Sequence, residues 1–304
     1  MVGRAATSGR LAGAVVIATP GGTRRASGTS TTRRFMRNRL AVGALLILLA
    51  LAATTILVPL VVPESVVTAQ VRNATFAPPT ADAPFGRDEF GRNAFVRAVY
   101  GGRISLWVSF ASAIIATIIG VLLGALSGYA GGWIDALIDR FVELILTLPF
   151  LLLLILAAAV AQPSMNSIIV ILGLFGWPTL ARLVRGEFFV LTHREFVEAA
   201  RASGASEVRI VFRHLLPNAI APIIVTATLI LAANLIAEAT ISFLGLGIHP
   251  PVPSWGNMLT ESQTYLINSP FLAIFPGLLI LVTVLCVNLV GDGLRDALDP
   301  RLKR

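Results

Sequence analysis

Residues 192–218 read THREFVEAARASGASEVRIVFRHLLPN, a polar stretch set between two long apolar runs. The pattern is that of two short helices and a break. Thr192-His193-Arg194-Glu195 fits a capping box, a hydroxyl at the N-cap with a carboxylate three residues on, so a helix is expected to begin there. Phe196, Ala199, Ala200 and Ser203 fall at i, i+3, i+4 and i+7. One face of that helix therefore carries small residues and permits close approach by another surface. Gly204 ends the helix. Ser206 is placed to cap a second one, with Glu207 in its first turn, where negative charge suits the helix dipole. Val208, Val211, Phe212 and Leu215 supply an apolar face, and Pro217 suits the end of this helix or the start of the next span.

Outside this stretch the chain is built for a membrane. Of 304 residues, 56% are hydrophobic and 13% charged, and the mean hydropathy is +0.82. A water-soluble domain needs more charge to cover its surface. Several uncharged runs reach the roughly 20 residues that cross a bilayer as helix. Alternating barrel patterning is absent, which points to helices with internally satisfied backbones. The fold class expected is an all-α membrane protein with six transmembrane helices, near 40–62, 104–126, 144–161, 167–185, 219–244 and 271–290. The uncharged stretch 144–180 is too long for one crossing, and Gln162-Pro163-Ser164-Met165-Asn166 supplies a turn within it. Residues 11–18 are apolar but too short to span, so the first span reads as an uncleaved signal-anchor behind a basic tail. Four segments follow: a flexible basic tail over 1–38, the first helix and an external segment over 39–103, a five-helix core over 104–298 that contains the loop 192–218, and a C-terminal tail over 299–304. Attraction to anionic membrane lipid accounts for the charge of the first tail.

The net charge is +8, yet the positives follow topology rather than a nucleic-acid surface. With the N-terminus inside, only Arg72, Arg87, Arg92, Arg97 and Arg103 fall outside, and the rest of the 24 Lys and Arg fall on the cytosolic side. Those five, all ahead of the second span, run against the assignment. It puts both termini and the loop 192–218 in the cytosol, and nucleic acid is not expected as a partner. The single cysteine, Cys286, sits in an apolar run as a small core residue, and His193, His214 and His249 are scattered, so no metal site is expected. Gly-x-x-x-x-Gly-Lys-Ser/Thr does not occur, and Lys303 is the one lysine, so the chain has no phosphate-binding loop of its own. Nothing forms a nucleophile–base pair at credible spacing, which argues against an enzyme.

Three roles suit the loop. A DNA-binding helix–turn–helix has similar Ala and Gly spacing, but two short helices between bilayer spans leave no room for a third. A passive amphipathic connector is the second. A docking element for a cytosolic partner is the third and the favoured one. Elsewhere, Gly120, Gly124 and Gly128 share one face of the second span and let helices approach closely, within this subunit or against a partner. Pro149 and Pro178 are expected to kink their helices. Asp135, Asp139 and Glu143 flank the third span and are expected to pair with nearby Arg. Glu238 is the ionisable residue of the fifth span, with Asn234 and Ser242 on the same face. These three are either a candidate translocation path or a structural hydrogen-bonded line. Between 245 and 270 the only charge is Glu261; four prolines, Trp255 and Tyr265 suit either bilayer-interface anchoring or a rigid lip for a solute-binding protein. An ion-coupled secondary transporter would need mid-bilayer ionisable groups and paired broken helices; Glu238 alone qualifies, off-centre, and no internal repeat is evident.

Glu198-Ala199-Ala200, then Gly204, then Leu216-Pro217 resembles the EAA loop of ABC-importer permeases. Ser242-Phe243-Leu244-Gly245-Leu246-Gly247, Pro250-Pro251, Pro253-Ser254-Trp255-Gly256 and Gly291-Asp292-Gly293-Leu294-Arg295-Asp296-Ala297-Leu298-Asp299-Pro300 are similar to the dipeptide/oligopeptide/nickel branch. So is Gly86-x-Asp88-x-x-Gly91-Arg92 leading to Gly102-Arg103-Ile104-Ser105-Leu106, where Arg87 and Asn93 replace the usual Thr and Asp. The resemblance covers roughly residues 34–301. It implies the type I importer transmembrane fold with one extra N-terminal helix. It also implies an ATPase-coupling role for Glu195, Glu198, Ala199, Ala200, Gly204, Leu216 and Pro217. The implied partners are a second homologous permease, two cytosolic ABC ATPase subunits that bind ATP and Mg, and an extracytoplasmic solute-binding protein, in a bacterial inner membrane. The solute expected is a dipeptide or oligopeptide, with nickel or another small solute as the alternative. The chain itself is expected to bind no cofactor.

Overall fold

Residues 31–71 and 73–298 are described by a computed structural model of the chain; the expected tail up to residue 30 and the tail 299–304 lie outside them. Helices dominate, with one isolated antiparallel bridge between Arg87 and Asn93. In order, α1 is Thr31–Arg37, α2 is Arg39–Val61, α3 is Ser65–Thr68 and α4 is Ala94–Ala130. Then come α5 at Gly132–Thr147, α6 at Phe150–Val160, α7 at Met165–Phe175 and α8 at Pro178–Thr192. The loop helices are α9, Glu195–Ala202, and α10, Glu207–Ile210. A π-helical turn, Val211–Leu215, leads into α11, Leu216–Phe243, followed by α12, Trp255–Ser262, and α13, Phe271–Leu298.

Among the described residues, five helical stretches are long and apolar enough to cross a membrane, counting α7 and α8 together, and α5 with α6 makes a sixth if the bent pair is one span. Three expectations need correction. The second span is not 104–126: Asn93 caps α4 by accepting from the N–H groups of Phe95 and Val96, so the helix starts ten residues earlier and runs for 37 residues. The third span is not one rod over 144–161. It bends by 89° at Leu148-Pro149, because proline lacks an N–H and disfavours helical geometry in the residue before it. The fourth does not end near 185 but continues to Thr192.

Lipid tails are as apolar as leucine, so close packing rather than water exclusion brings membrane helices together. α4 lies at the centre, against α7, α8 and α11. A Cβ on Gly120 would meet Leu180 and the Trp177 carbonyl; on Gly124, Ala181 and Val184; on Gly128, Arg185 and Phe188. Both helices advance four residues per step, so the three glycines form a groove that seats α8 within the subunit. At the C-terminal end, Gly291 approaches Thr228 of α11, and Gly293 lies against Ala41 and Phe35. That contact brings α1, α2 and α13 together. α2 buries only Ala41, Ala44 and Thr55, and is the most peripheral of the long helices.

Candidate functional site

The polar loop is anchored on one side and open on the other. Val197, Ile210 and Leu215 are fully buried in a cluster with Val142, Val184 and Phe188. The opposite side presents Glu195, Phe196, Glu198, Ala199, Ser203, Val208 and Phe212. The expected apolar face of the second helix therefore splits. Leu215 points inward, whereas Val208 and Phe212 are 67% and 62% exposed. Of the expected coupling residues, Glu195, Glu198, Ala199, Gly204 and Pro217 are exposed, while Ala200 and Leu216 are half-buried.

The capping box at Thr192 does not form. Thr192 is the last residue of α8, and its hydroxyl donates to the Phe188 carbonyl at 2.7 Å. α9 starts behind Arg194 with no side-chain cap. Ser206 does occupy the N-cap of α10, without a side-chain bond. Gly204 has φ +78 with nothing near its Cβ position, so its turn needs glycine for the backbone rather than for space. The second helix is not a separate piece: through the π turn it runs on into α11. Pro217 stands in the first turn of α11, where a missing N–H costs little.

Salt bridges fix the frame around the loop. Arg185 of α8 donates to both oxygens of Asp135, at 2.5 and 2.8 Å, and to Asp139 at 3.4 Å. The Ser127 hydroxyl at the end of α4 donates to the same Asp135. Arg140 pairs with Glu143 at 2.8 Å, so all three carboxylates find the arginines expected of them. Arg201 of α9 lies over the Tyr129 ring, 5.9 Å from its centroid. α4, α5, α8 and the loop thus meet at one end of the molecule.

Asn234, Glu238 and Ser242, the candidate translocation path, line no open surface of this chain: all three are buried against α4 and the chain entering α12. The Asn234 amide donates to the Ser112 hydroxyl at 2.8 Å, and Ser242 donates to Glu238 Oε1 at 2.9 Å. Glu238 Oε2 makes no well-aligned hydrogen bond among the described residues. Trp255 does not present its ring to the surface of this chain. It is buried, with its indole N–H donating to the Ala98 carbonyl at 2.8 Å and its backbone N–H to the Ser105 hydroxyl at 3.2 Å. Gly101 and Gly102 of α4 make the room for Ser254 and Trp255.

A charge cluster at the opposite end escaped the sequence. Arg97, 1% exposed, donates to Glu261 at 2.7 Å and lies 3.6 Å from Asp88. Arg92 pairs with Asp88 at 2.6 Å and reaches Glu89 and Glu261. Burial pushes the Glu89 carboxyl up from the usual carboxylate value, against smaller opposing pulls from a backbone N–H and, last, from Arg92. The Asp88 Oδ1 accepts from the N–H groups of Phe90 and Arg92, and Gly91 turns at φ +74. Arg87 donates to the Gly91 carbonyl, so Arg87 and Asn93 serve the turn rather than disturb it. The signal in the sequence was the acidic pair Asp88-Glu89 beside Arg92, and the remote partner was Glu261.

Both the sequence and the fold have counterparts among known proteins. Residues 120–304 match the family model for the binding-protein-dependent transport system inner membrane component. The chain belongs to this family. The permease also matches, over residues 29–79, the N-terminal TM domain of oligopeptide transport permease C. It is 41% identical over 273 residues to the dipeptide transport system permease protein DppC of Bacillus subtilis, covering 90% of this chain and 85% of the relative. It is 40% identical over 270 residues to the oligopeptide transport system permease protein OppC of Escherichia coli, covering 88% and 89%. The inward-facing MetNI methionine ABC transporter shares the fold, with a TM-score of 0.56 at 21% identity over 68% of this chain and 97% of that one. The permease is thus a multi-span transport component of an ABC importer, and not itself an enzyme. α2 belongs to the N-terminal segment added to the common core.

Proposed function

We propose that the permease carries dipeptides or oligopeptides across a bacterial inner membrane, and that loop 192–218 receives the force of ATP hydrolysis from separate subunits. The observation that carries this reading is the two-sided loop. Val197, Ile210 and Leu215 bind it to its own core, while Phe196, Glu198, Ala199, Val208 and Phe212 stay open. Its two ends continue into α8 and α11, so a push on the open face tilts both helices. Two ABC ATPase subunits, holding ATP and Mg, would supply that push, and a second homologous permease would complete the pathway opposite an extracytoplasmic solute-binding protein. Peptide is favoured because relatives at 40–41% identity are named for dipeptide and oligopeptide transport.

The termini and the loop are assigned to the cytosol. Two of the five far-end arginines that opposed this orientation are neutralised by carboxylates: Arg92 and Arg97 are paired with Asp88, Glu89 and Glu261. Asn234, Glu238 and Ser242 are assigned a structural part, a hydrogen-bonded seam that holds α11 to α4.

The test is uptake of labelled di- to pentapeptides into vesicles containing the complete importer, with nickel chelates as competitors. Peptides should compete and the chelates should not. Glu198→Lys or Phe212→Ser should abolish ATP-dependent uptake while the permease stays in the membrane. Normal uptake in both variants would remove the coupling role from the loop.

A further inference from the structure

One cavity among the described residues lies away from the loop 192–218. It is a groove of about 1130 Å³ between α2 and the core, lined by Leu48, Ala52, Ile56, Trp107, Phe110 and Val287 among others. From Leu48 to the end of α2 it runs for roughly 20 Å, at 1.5 Å per residue, slightly more than the ~15 Å of one hydrocarbon leaflet. Its rim at the Val61 end of α2 is polar. Glu64, Tyr100 and Arg103 line it there. The Tyr100 hydroxyl donates to the Val62 carbonyl at 2.6 Å, which ties the end of α2 to α4 and holds the two charged residues on one rim. Arg92, Arg97 and Arg185 all have carboxylate partners. Arg103 and Glu64 have none among the described residues, and both are exposed.

We propose that this groove binds one phospholipid with a primary-ammonium headgroup, of the phosphatidylethanolamine class. A single acidic and a single basic side chain, each unpaired, complement a zwitterion: Arg103 meets the phosphate and Glu64 accepts from the ammonium. The apolar walls take the acyl chains. A helix from another subunit fits less well, because intramembrane helix contacts favour Gly, Ala and Ser, whereas these walls are mostly Leu, Ile, Trp and Phe. The lipid fills the space between the added N-terminal helix and the core.

The experiment is native mass spectrometry of the complete importer, released from nanodiscs holding equal parts of phosphatidylethanolamine, phosphatidylcholine and phosphatidylglycerol. One retained phosphatidylethanolamine per permease is expected. Choline presents no N–H to Glu64, and phosphatidylglycerol presents no cation. The Arg103→Gln, Glu64→Gln double variant should retain it at least ten-fold less, and Arg103→Lys should keep most of it. Both side chains are exposed, so folding is checked separately by the protection of Cys286 from a thiol-reactive dye. Equal retention of the three lipids, unchanged retention in the double variant, or cross-linking of Trp107→Cys to the second permease in native membranes would each overturn the proposal.

Discussion

Enlarging Gly124 should loosen the permease from its centre outward. A Cβ there would lie 2.5 Å from the Ala181 carbonyl oxygen and 2.8 Å from Val184 Cβ. Ordinary contacts begin at about 3.5 Å, so Gly124→Ala must open α4 from α8 by roughly 1 Å. The atoms in the way are backbone and a β-carbon, which cannot swing aside, and Gly120 and Gly128 hold the same two helices one turn above and below. Overpacking of this kind costs about 1–3 kcal/mol, or roughly 5- to 150-fold in the folding equilibrium. Cys286 is the sole cysteine and is buried in α13, so its labelling by a thiol-reactive dye during heating of the full-length permease in detergent reports unfolding. Gly124→Ala should label at lower temperature, and Gly124→Leu should label without heating. Gly186→Ala on α8 is the control: nothing lies within 4 Å of its Cβ position, and alanine favours helix over glycine by about 0.8–1 kcal/mol. That variant should label no earlier than the unaltered protein. A Gly124→Ala profile that matches the unaltered one would refute the glycine-groove account of how α4 and α8 meet.

Other variants test other parts of the structure. Arg97→Leu takes from Glu261 its nearer arginine and leaves Arg92 as the partner of both Glu261 and Asp88, so it should cost about 2–3 kcal/mol, below the cost of a fully unpaired buried charge, read by the same labelling assay; Arg97→Leu with Glu261→Gln should recover part of the loss. The Glu89 carboxyl holds its proton more tightly in the folded than in the unfolded chain, so the stability it contributes is complete below its unfolded pKa of about 4.5 and is lost as pH rises through the higher folded value. Glu89→Gln should therefore raise the unfolding temperature at pH 8, with the difference shrinking to nothing near pH 4; a constant difference across that range would refute the assignment. Gly204→Val should cost about 1–2 kcal/mol for a left-handed backbone and abolish uptake, whereas Gly204→Asn should retain much of it, because the space around Gly204 is open. Asp135→Asn should weaken the tie between α5 and α8 by about 1 kcal/mol, since the pair is partly solvated, and should lower the unfolding temperature only slightly.

Much of the architecture is legible in local pattern. Uncharged runs long enough for a bilayer announce helices because lipid leaves no other way to satisfy a backbone. The glycine triplet on α4 was readable as a packing face from its four-residue spacing. Gly204 was readable as a break from its residue type. Helix ends were less so. The hydroxyl of Thr192 can cap a following helix or bond back to a preceding one, and the choice depends on whether α8 persists to that point. It persists because Val184 and Phe188 are held against Gly124 and Gly128, residues distant in sequence.

The loop's two faces divide in the same way. Periodicity grouped Val208, Val211, Phe212 and Leu215 on one side, yet only Leu215 is buried. The π turn over Val211–Leu215 shifts the helical register there, and what α8 and α5 offer for packing decides which side is covered. Composition, periodicity and motif order alone determined that this chain spans a membrane as helices, lacks its own phosphate-binding loop and belongs among importer permeases, because each follows from residue types close together in the chain. Only the tertiary structure decided which glycines touch which helix, that Glu238 and Trp255 are interior, and that Arg97 finds Glu261 across 164 residues. Burial and ion pairing depend on neighbours in space, and no short stretch of sequence contains them.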